Sequence, residues 1–175
     1  DSVKTLMNSL YDGQNVYFDY SAIRLEGARL MTMGGRASGP QPLVKLHDFI
    51  RETMHNAQGR QLTTLECHDI CNQIAEIVVV GGVRRSSQIS LSDLQDEDMR
   101  HAKDWPYPIK RAMANNSAVY REKPQAADFL KEWGSLALSG TGERGIFNLE
   151  AAQSKAPSRR YAPLIQGTNP CGEIM

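Results

Sequence analysis

The apolar residues in the first half of the chain recur with the spacing of amphipathic helices. A first helix is predicted from four apolar residues at i, i+3, i+4 and i+7: Val3, Leu6, Met7 and Leu10. A second helix is predicted after Pro42 and before Gly59 from a similar set: Leu43, Leu46, Ile50 and Met54. A third is predicted to start at Thr63, because Thr63 and Glu66 form a capping box ahead of another apolar face.

Short runs of β-branched and aromatic residues predict strands, and they alternate with helical patterns. The predicted strands are residues 16–20, 89–91 and 146–149, and residues 115–120 are predicted to be a polar turn that enters a strand. A further helix is predicted to begin at Pro124 and to end in the glycine-rich residues 139–145. Its apolar face would contain Phe129, Leu130, Trp133, Leu136 and Ala137. This alternation favours an α/β fold with a largely parallel sheet or a barrel.

Composition excludes several classes of protein. The chain has 175 residues, and its 20 Lys+Arg balance its 20 Asp+Glu, which argues against an extended basic surface for nucleic acid. The longest apolar run, Ile77 to Val80, is far shorter than the ~20 residues that span a bilayer, so we expect no membrane partner. The first residues lack the features of a signal peptide, and the three cysteines are an odd number, so we expect a cytoplasmic protein. A start without methionine and an end just after a Cys-Gly pair lead us to expect a fragment.

Three polar side chains near the end of the chain alternate along the sequence: Asn169, Cys171 and Glu173. Proline and glycine flank the cysteine, so residues 167–173 are predicted to be extended or a turn rather than a helix. In an extended segment the thiol, amide and carboxylate face the same side and converge on one small molecule. The sulfur would then abstract or attack, the carboxylate would move protons, and the amide would orient hydroxyls. The alternative is a surface turn with an incidental cysteine.

The other two cysteines, Cys67 and Cys71, lie in the third predicted helix. Their spacing lacks the C-x-x-C pair typical of zinc sites, so we interpret them as buried helix cysteines that pack as small hydrophobic residues. We expect no metal site. The histidines without a neighbouring cysteine are interpreted as structural or exposed: His47, His55 and His101.

Two glycine-rich loops, residues 34–40 and 81–88, carry arginine just after a Gly-Gly pair. Glycine permits close approach of the backbone and arginine donates bidentate hydrogen bonds, so each loop could hold a phosphate or contact a base edge. Neither matches a Walker loop or a G-x-G-x-x-G turn. The alternative is two tight connections with solvated arginines.

Six segments in order resemble the catalytic subunit of ribonucleotide reductase, most closely the adenosylcobalamin-dependent ribonucleoside-triphosphate reductases of class II. They are FDYSAIR at 18–24, GGRASGP at 34–40, GGVRRS at 81–86, NNS at 115–117, GERGI at 142–146 and TNPCGEI at 168–174. The resemblance implies part of a ten-stranded α/β barrel that is incomplete in this chain. Residues 1–175 would be a single segment of this barrel domain. Within it, residues 1–30 would form an effector-side helix and strand, residues 81–88 the specificity loop, and residues 167–175 the finger loop.

The resemblance also implies roles for individual residues. Cys171 matches the cysteine that becomes a thiyl radical and removes the 3′ hydrogen of the ribose. Glu173 matches the carboxylate that takes the 3′-hydroxyl proton, and Asn169 the amide that hydrogen-bonds the sugar hydroxyls. The substrate-side residues of the specificity loop would be Gly82, Val83, Arg84, Arg85, Ser86 and Gln88. The effector-binding residues would be Asp1, Ser2 and Arg24.

The implied function is reduction of ribonucleotides to 2′-deoxyribonucleotides as part of a larger or split enzyme. The implied partners are a ribonucleotide substrate, a deoxynucleoside triphosphate effector, a complementary chain with the rest of the reductase, and a thioredoxin-type reductant. Adenosylcobalamin would be the cofactor, although this chain alone is not expected to bind it. The family's redox cysteine pair is not recognisable, since Cys67 and Cys71 lie in the wrong place. The large subunit of a class I reductase and a non-catalytic deoxynucleotide-sensing module are the alternatives.

Overall fold

The chain divides into two compact units, Asp1–Ser86 and Ser87–Met175. The computed structural model describes residues 1–31, 34–79 and 86–175. In these ranges, no helix combines the length and the apolar character that crossing a bilayer requires. That the chain forms a single segment of a barrel domain stays a prediction.

The first unit contains the three helices that the apolar spacing predicts. They are α1 (Ser2–Tyr11), α2 (Gln41–Asn56) and α3 (Thr64–Val79). Their apolar faces meet in a core whose buried members are Leu6, Leu46, Ile50 and Ile70. Burial of these side chains is the main stabilising contribution in this unit, because removing apolar surface from water is the dominant favourable contribution to folding.

The capping box at the start of α3 is confirmed. The amide N–H of Glu66 donates to Thr63 Oγ1 over 3.1 Å, and the amide N–H of Thr63 donates back to Glu66 Oε2 over 2.8 Å. The Arg60 guanidinium also donates two hydrogen bonds to the Glu66 carboxylate, each with an N···O distance of 2.7 Å. The hydrogen bonds from Arg60 and then from Thr63 lower the pKa of Glu66 to about 2.

The strand predicted over residues 16–20 is wrong. This stretch has no regular secondary structure, although its residue types favour strands. Instead of a ladder partner, the Val16 carbonyl accepts a hydrogen bond from Arg51 of α2. The Phe18 and Tyr20 rings pack against His47, so the segment is held by side chains of α2 rather than by a neighbouring strand.

The second unit contains a three-stranded, fully parallel sheet of β1 (Gln88–Ser92), β2 (Ala114–Tyr120) and β3 (Gly145–Asn148). The strands lie in the order β1-β2-β3. Gln88 pairs with Ala114, and Ser117 pairs with Gly145. The predicted parallel α/β arrangement is therefore confirmed for this small sheet, and the ten-stranded barrel stays a prediction.

Short helices connect and follow these strands. They are α4 (Glu97–Arg100), a 3₁₀ helix at Ile109–Met113, α5 (Ala126–Ser139), α6 (Leu149–Ser154) and a 3₁₀ helix at Ala162–Leu164. α5 begins after the N-cap Gln125, so the predicted start at Pro124 is two residues early. It ends at Gly140, whose φ of +66° is a left-handed conformation that suits glycine.

The apolar face predicted for α5 is not its buried face. Leu130 is 65% exposed and Trp133 is 53% exposed, whereas Glu132 between them is only 1% exposed. Glu132 is buried because two arginines bind it. Arg144 Nε donates to Glu132 Oε1 over 2.6 Å, and Arg100 Nε donates to Oε2 over 2.9 Å.

This buried ion cluster of Arg100, Glu132 and Arg144 joins α4, α5 and the segment before β3. Arg144 also donates through Nη1 to Ser92 Oγ over 2.7 Å, which ties the cluster to the end of β1. Burial raises the pKa of Glu132, but hydrogen bonds from Arg144 and Arg100 outweigh it, and the pKa ends below its ordinary value. Glu132 therefore remains a carboxylate, and the cluster keeps both guanidiniums paired.

Candidate active site

Residues 167–175 form a hydrogen-bonded turn. The amide N–H of Gly172 donates to the Asn169 carbonyl over 2.9 Å, and that of Asn169 donates to the Ile174 carbonyl over 2.9 Å. Gly172 has a φ of +84°, a left-handed conformation that side chains rarely adopt. The chain therefore reverses direction around Cys171, and the expectation that alternation along an extended segment aligns Asn169, Cys171 and Glu173 is wrong.

The side chain of Asn169 helps to close this turn. Its Oδ1 accepts a hydrogen bond from the Ile174 amide over 2.9 Å. Thr168 Oγ1 donates a hydrogen bond to the Ile174 carbonyl over 2.9 Å. The local sequence thus provides both halves of the closure, since an asparagine that bonds nearby backbone groups is typical of turns.

Cys171 lines a cavity of about 720 Å³ in the second unit. This volume lies within the ~300–1,000 Å³ typical of small-molecule sites. The polar and charged side chains around the cavity include Asn115, Ser117, Glu143, Lys155 and Arg160. Within residues 86–175, Asn169 and Glu173 are not among the residues that line it, so the structure brings only one of the three predicted catalytic side chains to the cavity.

Contacts on both sides of Cys171 hold the turn. Before it, Gln153 Nε2 of α6 donates to the Ile165 carbonyl over 2.9 Å. Gly167 passes so close to β1 that a Cβ there would lie 3.1 Å from Leu91 Cδ1. After it, Arg160 Nη1 donates to the Met175 carbonyl over 2.7 Å.

The turn also contacts β2 directly. Asn115 Nδ2 donates to the Pro170 carbonyl over 2.7 Å. The contact is adjacent to the thiol, because that carbonyl belongs to the peptide bond that leads into Cys171.

Three charged side chains line the cavity, and one of them, Glu143, is paired with a lysine that does not line it. Lys103 Nζ lies 2.8 Å from Glu143 Oε1, and Glu143 Oε2 accepts a hydrogen bond from the Asn116 amide over 3.1 Å. Glu143 is therefore already paired, whereas Lys155 and Arg160 bring positive charge to the same cavity. Sequence reasoning assigned no role to these residues, although Asn115 and Glu143 lie in two of the six segments of the resemblance.

Most of the predicted specificity loop lies outside the described residues, namely Gly82, Val83, Arg84 and Arg85. Of its predicted substrate-side residues, two are described: Ser86 is half-buried and Gln88 begins β1. In the other glycine-rich loop, Arg36 Nη1 donates to the Gly27 carbonyl over 2.9 Å. That arginine therefore ties the loop to the segment that precedes it.

The residues predicted to bind an effector lie in the first unit. Asp1 is the N-cap residue of α1, Ser2 is its first helical residue, and Arg24 is exposed in a loop. Ser2 Oγ hydrogen-bonds His47 Nε2 over 3.1 Å, and Tyr20 Oη bonds Nδ1 of the same ring over 2.7 Å. Burial, followed by the charge of Arg51, lowers the pKa of His47, which fits the structural role expected for this histidine.

Cys67 and Cys71 are exposed, so the expectation that both are buried is wrong. The buried positions along this stretch of α3 are His68, Ile70 and Asn72. The cysteines are one helical turn apart on a different face, which the apolar pattern alone did not distinguish. Within the described ranges, no group of three or more potential metal ligands is present.

Comparison with known proteins relates the chain to the ribonucleotide reductases. It is 37% identical over 173 residues to the adenosylcobalamin-dependent ribonucleoside-triphosphate reductase of Levilactobacillus brevis, a match that covers 91% of this chain and 22% of the relative. The reductase of the same name from Lacticaseibacillus paracasei is 37% identical over 163 residues, covering 89% of the chain and 21% of the relative. The reductase of the same name from Lactobacillus leichmannii is 32% identical, and the match covers 92% of this chain and 22% of the relative.

The predicted resemblance to adenosylcobalamin-dependent ribonucleoside-triphosphate reductases is therefore confirmed. The chain spans about a fifth of the length of the curated relatives it matches. No family model matches the chain. No solved structure matches it either.

Proposed function

We propose that the protein containing these residues reduces ribonucleoside triphosphates to 2′-deoxyribonucleoside triphosphates, with Cys171 as the radical thiol. One observation carries this proposal: the cysteine of the TNPCGEI segment lines a cavity of ligand size in a chain similar to such reductases over nine-tenths of its length. Because the chain spans about a fifth of those relatives, the reaction requires the remainder of a reductase. That remainder would be a complementary chain or further segments of the same polypeptide.

The chemistry is a radical-assisted exchange of a hydroxyl for hydrogen. The Cys171 thiyl radical removes the 3′ hydrogen of the ribose, and Glu173 takes the proton of the 3′ hydroxyl. The 2′ hydroxyl then leaves as water, a dithiol supplies two electrons and two protons, and the 3′ hydrogen returns from Cys171. The exposed carboxylate of Glu173 is two residues from the thiol, within the same closed turn.

The two polar atoms of the Asn169 side chain have different roles in this proposal. Its Oδ1 is bonded to the turn, so its Nδ2 group is the part that would donate to a sugar hydroxyl. Lys155 and Arg160 give the cavity positive charge, which a triphosphate needs. We therefore assign the phosphate end of the substrate to the side of the cavity that carries these two residues.

The relatives are named as adenosylcobalamin-dependent, and we assign the source of the radical to that cofactor. When bound, this cofactor generates a radical that withdraws the hydrogen atom of a thiol. The exposed Cys171 fits such a role, since its sulfur is open to an outside group and lies beside a cavity that accepts a substrate. We assign cofactor binding to parts of the reductase beyond these residues.

We also propose that the specificity loop and the effector-binding residues implied by the resemblance regulate which ribonucleotide is reduced. Residues 81–88 would adapt to the base of the substrate. Asp1, Ser2 and Arg24 would contact a deoxynucleoside triphosphate effector. The His47 contact to Ser2 supports this, because it holds that hydroxyl in place at the first turn of α1.

Replacement of the radical thiol tests the proposal. In the complete reductase, Cys171→Ala abolishes formation of deoxynucleotide, while equilibrium binding of nucleotides stays close to that of the unmodified enzyme. Cys67→Ala is the matched control, because that cysteine is also exposed but lies in the first unit, and it keeps its activity. Retained turnover in Cys171→Ala would exclude the mechanism.

The same assay separates the two alternatives. Activity that requires added adenosylcobalamin and no second metalloprotein excludes a class I large subunit. Binding of deoxynucleoside triphosphates without reduction, under every cofactor and reductant condition, would favour the non-catalytic sensing module.

A further inference from the structure

The turn that carries Cys171 is closed by local bonds, and these bonds do not determine where the turn lies on the sheet. All of them join residues within 168–174. A turn held only in this way could tilt as a unit and move its thiol relative to the cavity. The contacts that place it must therefore come from other elements.

Asn115 provides the contact nearest to the thiol. It lies on β2, the central strand of the sheet, where it pairs with Ile89 of β1. Its Nδ2 donates to the Pro170 carbonyl over 2.7 Å across 55 residues of sequence. The bond is short but exposed, and it starts from a strand that pairs with β1 at residues 114–118 and with β3 at residues 117–120.

The geometry of the peptide bond transmits this attachment to the cysteine. The bonded oxygen, the Pro170 carbonyl carbon and the Cys171 nitrogen belong to one planar unit. Fixing that oxygen therefore fixes the plane from which the Cys171 Cα departs. Proline has a restricted φ and provides no amide hydrogen, so its carbonyl is the only polar backbone group at this position.

Asn115 also lines the cavity of about 720 Å³ that Cys171 lines. Asn115 and Ser117 project from the same face of β2, since alternate residues of a strand share a face. The residue that holds the turn is thus part of the wall against which a substrate would lie.

We propose that Asn115 is a positioning residue for Cys171, and that its hydrogen bond to the Pro170 carbonyl holds the thiol at the cavity. The catalytic consequence rests on the proposed reductase function, whereas the restraint on the turn does not. Loss of the bond leaves the turn held by the flanking contacts from Gln153 and Arg160, so the peptide bond before Cys171 becomes freer to move. It leaves unchanged the cationic side chains proposed to bind the triphosphate, Lys155 and Arg160. Turnover therefore falls while substrate affinity is retained.

Two variants remove the bond in different ways. Asn115→Ala deletes the amide, and Asn115→Asp keeps its shape but replaces the donor with an acceptor that repels the carbonyl. Asn115→Gln keeps the donor on a longer side chain and should recover part of the restraint. Asn8→Ala and Asn8→Asp are matched controls, because Asn8 is an exposed asparagine on α1 in the first unit.

Hydrogen exchange measures the restraint directly. In Asn115→Ala, exchange of the hydrogen-bonded amides of Asn169, Gly172 and Ile174 rises about fivefold, the factor that corresponds to one ordinary neutral hydrogen bond. Asn115→Asp raises it at least as much, and Asn115→Gln raises it less. Amides of β3 keep their protection, which distinguishes a local release from general loss of the sheet. Unchanged exchange of these turn amides in both Ala and Asp variants would overturn the proposal.

Steady-state kinetics of the complete reductase measure the consequence. We expect kcat to fall by about fivefold or more in Asn115→Ala, with KM for the nucleotide within about twofold of the unmodified value. A raised KM with an unchanged kcat, or faster exchange with unchanged kinetics, would also overturn the positioning role. Failure of the proposed function is seen separately, as absence of reduction in the unmodified enzyme, and the exchange result then decides whether Asn115 restrains the turn.

Discussion

Removing the charge of Glu132 should destabilise the second unit more than any exposed charge change. In Glu132→Gln, the guanidiniums of Arg144 and Arg100 stay buried, with side chains that are 1% and 5% exposed, but lose their shared carboxylate. Breaking a buried ion pair by removing one partner costs about 3–5 kcal/mol. That is a large part of the ~5–15 kcal/mol that stabilises an ordinary domain.

Urea unfolding followed by tryptophan fluorescence is a selective assay. Both tryptophans of the chain, Trp105 and Trp133, lie in the unit Ser87–Met175, so the signal reports on this unit alone. With a urea dependence of about 2 kcal/mol per M, the expected loss moves the midpoint down by about 2 M.

Glu97→Gln is the control for this measurement. Glu97 also contacts Arg100, but its side chain is 53% exposed, and such pairs contribute about 0–1 kcal/mol. A midpoint in Glu132→Gln within about 0.5 M of that in Glu97→Gln would refute the claim that burial of the Glu132 pairs dominates this part of the fold.

Two further predictions concern the first unit. The pKa of His47 is lowered in the folded chain, so the unfolded chain takes up the proton first. The free energy of unfolding should therefore be highest above pH 6.5 and should decrease as the pH falls below that value. In His47→Gln, stability measured by circular dichroism should depend less on pH. Gly39→Ala should lower the free energy of unfolding by about 1–2 kcal/mol, because φ is +73° and the new Cβ would lie 3.1 Å from Glu26 Cβ. Gly13→Ala is the control, since Gly13 also has a positive φ but open space around it. Equal losses of stability in the two variants would show that crowding at Gly39 adds nothing.

The elements that were predicted correctly have local signals. The capping box of Thr63 and Glu66 joins residues three apart, and the apolar spacing of α1 and α2 repeats within a few turns. The parallel sheet followed from strands that alternate with helices. Signals of this kind are contained in a short window of sequence, so a single chain is enough to find them.

The errors arise where distant residues decide burial or pairing. Glu132 is buried inside a helix whose apolar residues stay exposed, because Arg144 and Arg100, 12 and 32 residues away, bind its carboxylate. Residues 16–20 have strand-forming side chains, but a side chain of α2 takes the Val16 carbonyl. Neither fact has a local signature.

The candidate site shows the same division. The position of Cys171 between proline and glycine predicted an extended segment or a turn rather than a helix, and a turn is present. Its attachment to Asn115 crosses 55 residues, and the cavity that it borders is made from several elements. Sequence alone therefore excluded a helix around Cys171 but did not find the contact with Asn115 or the cavity, and the catalytic role of Cys171 stays a prediction.

The local hydrogen bonds of this turn and its bond to Asn115 differ in the chain entropy that is lost when they form. The bond between Asn169 and Ile174 closes a loop of 5 residues, whereas the bond between Asn115 and Pro170 closes one of 55. The longer closure costs about 2 kcal/mol more in chain entropy. The local shape around the thiol can therefore form early in folding, whereas its attachment forms only once the strands have paired. A reactive sulfur would then reach its working position only in a completed sheet.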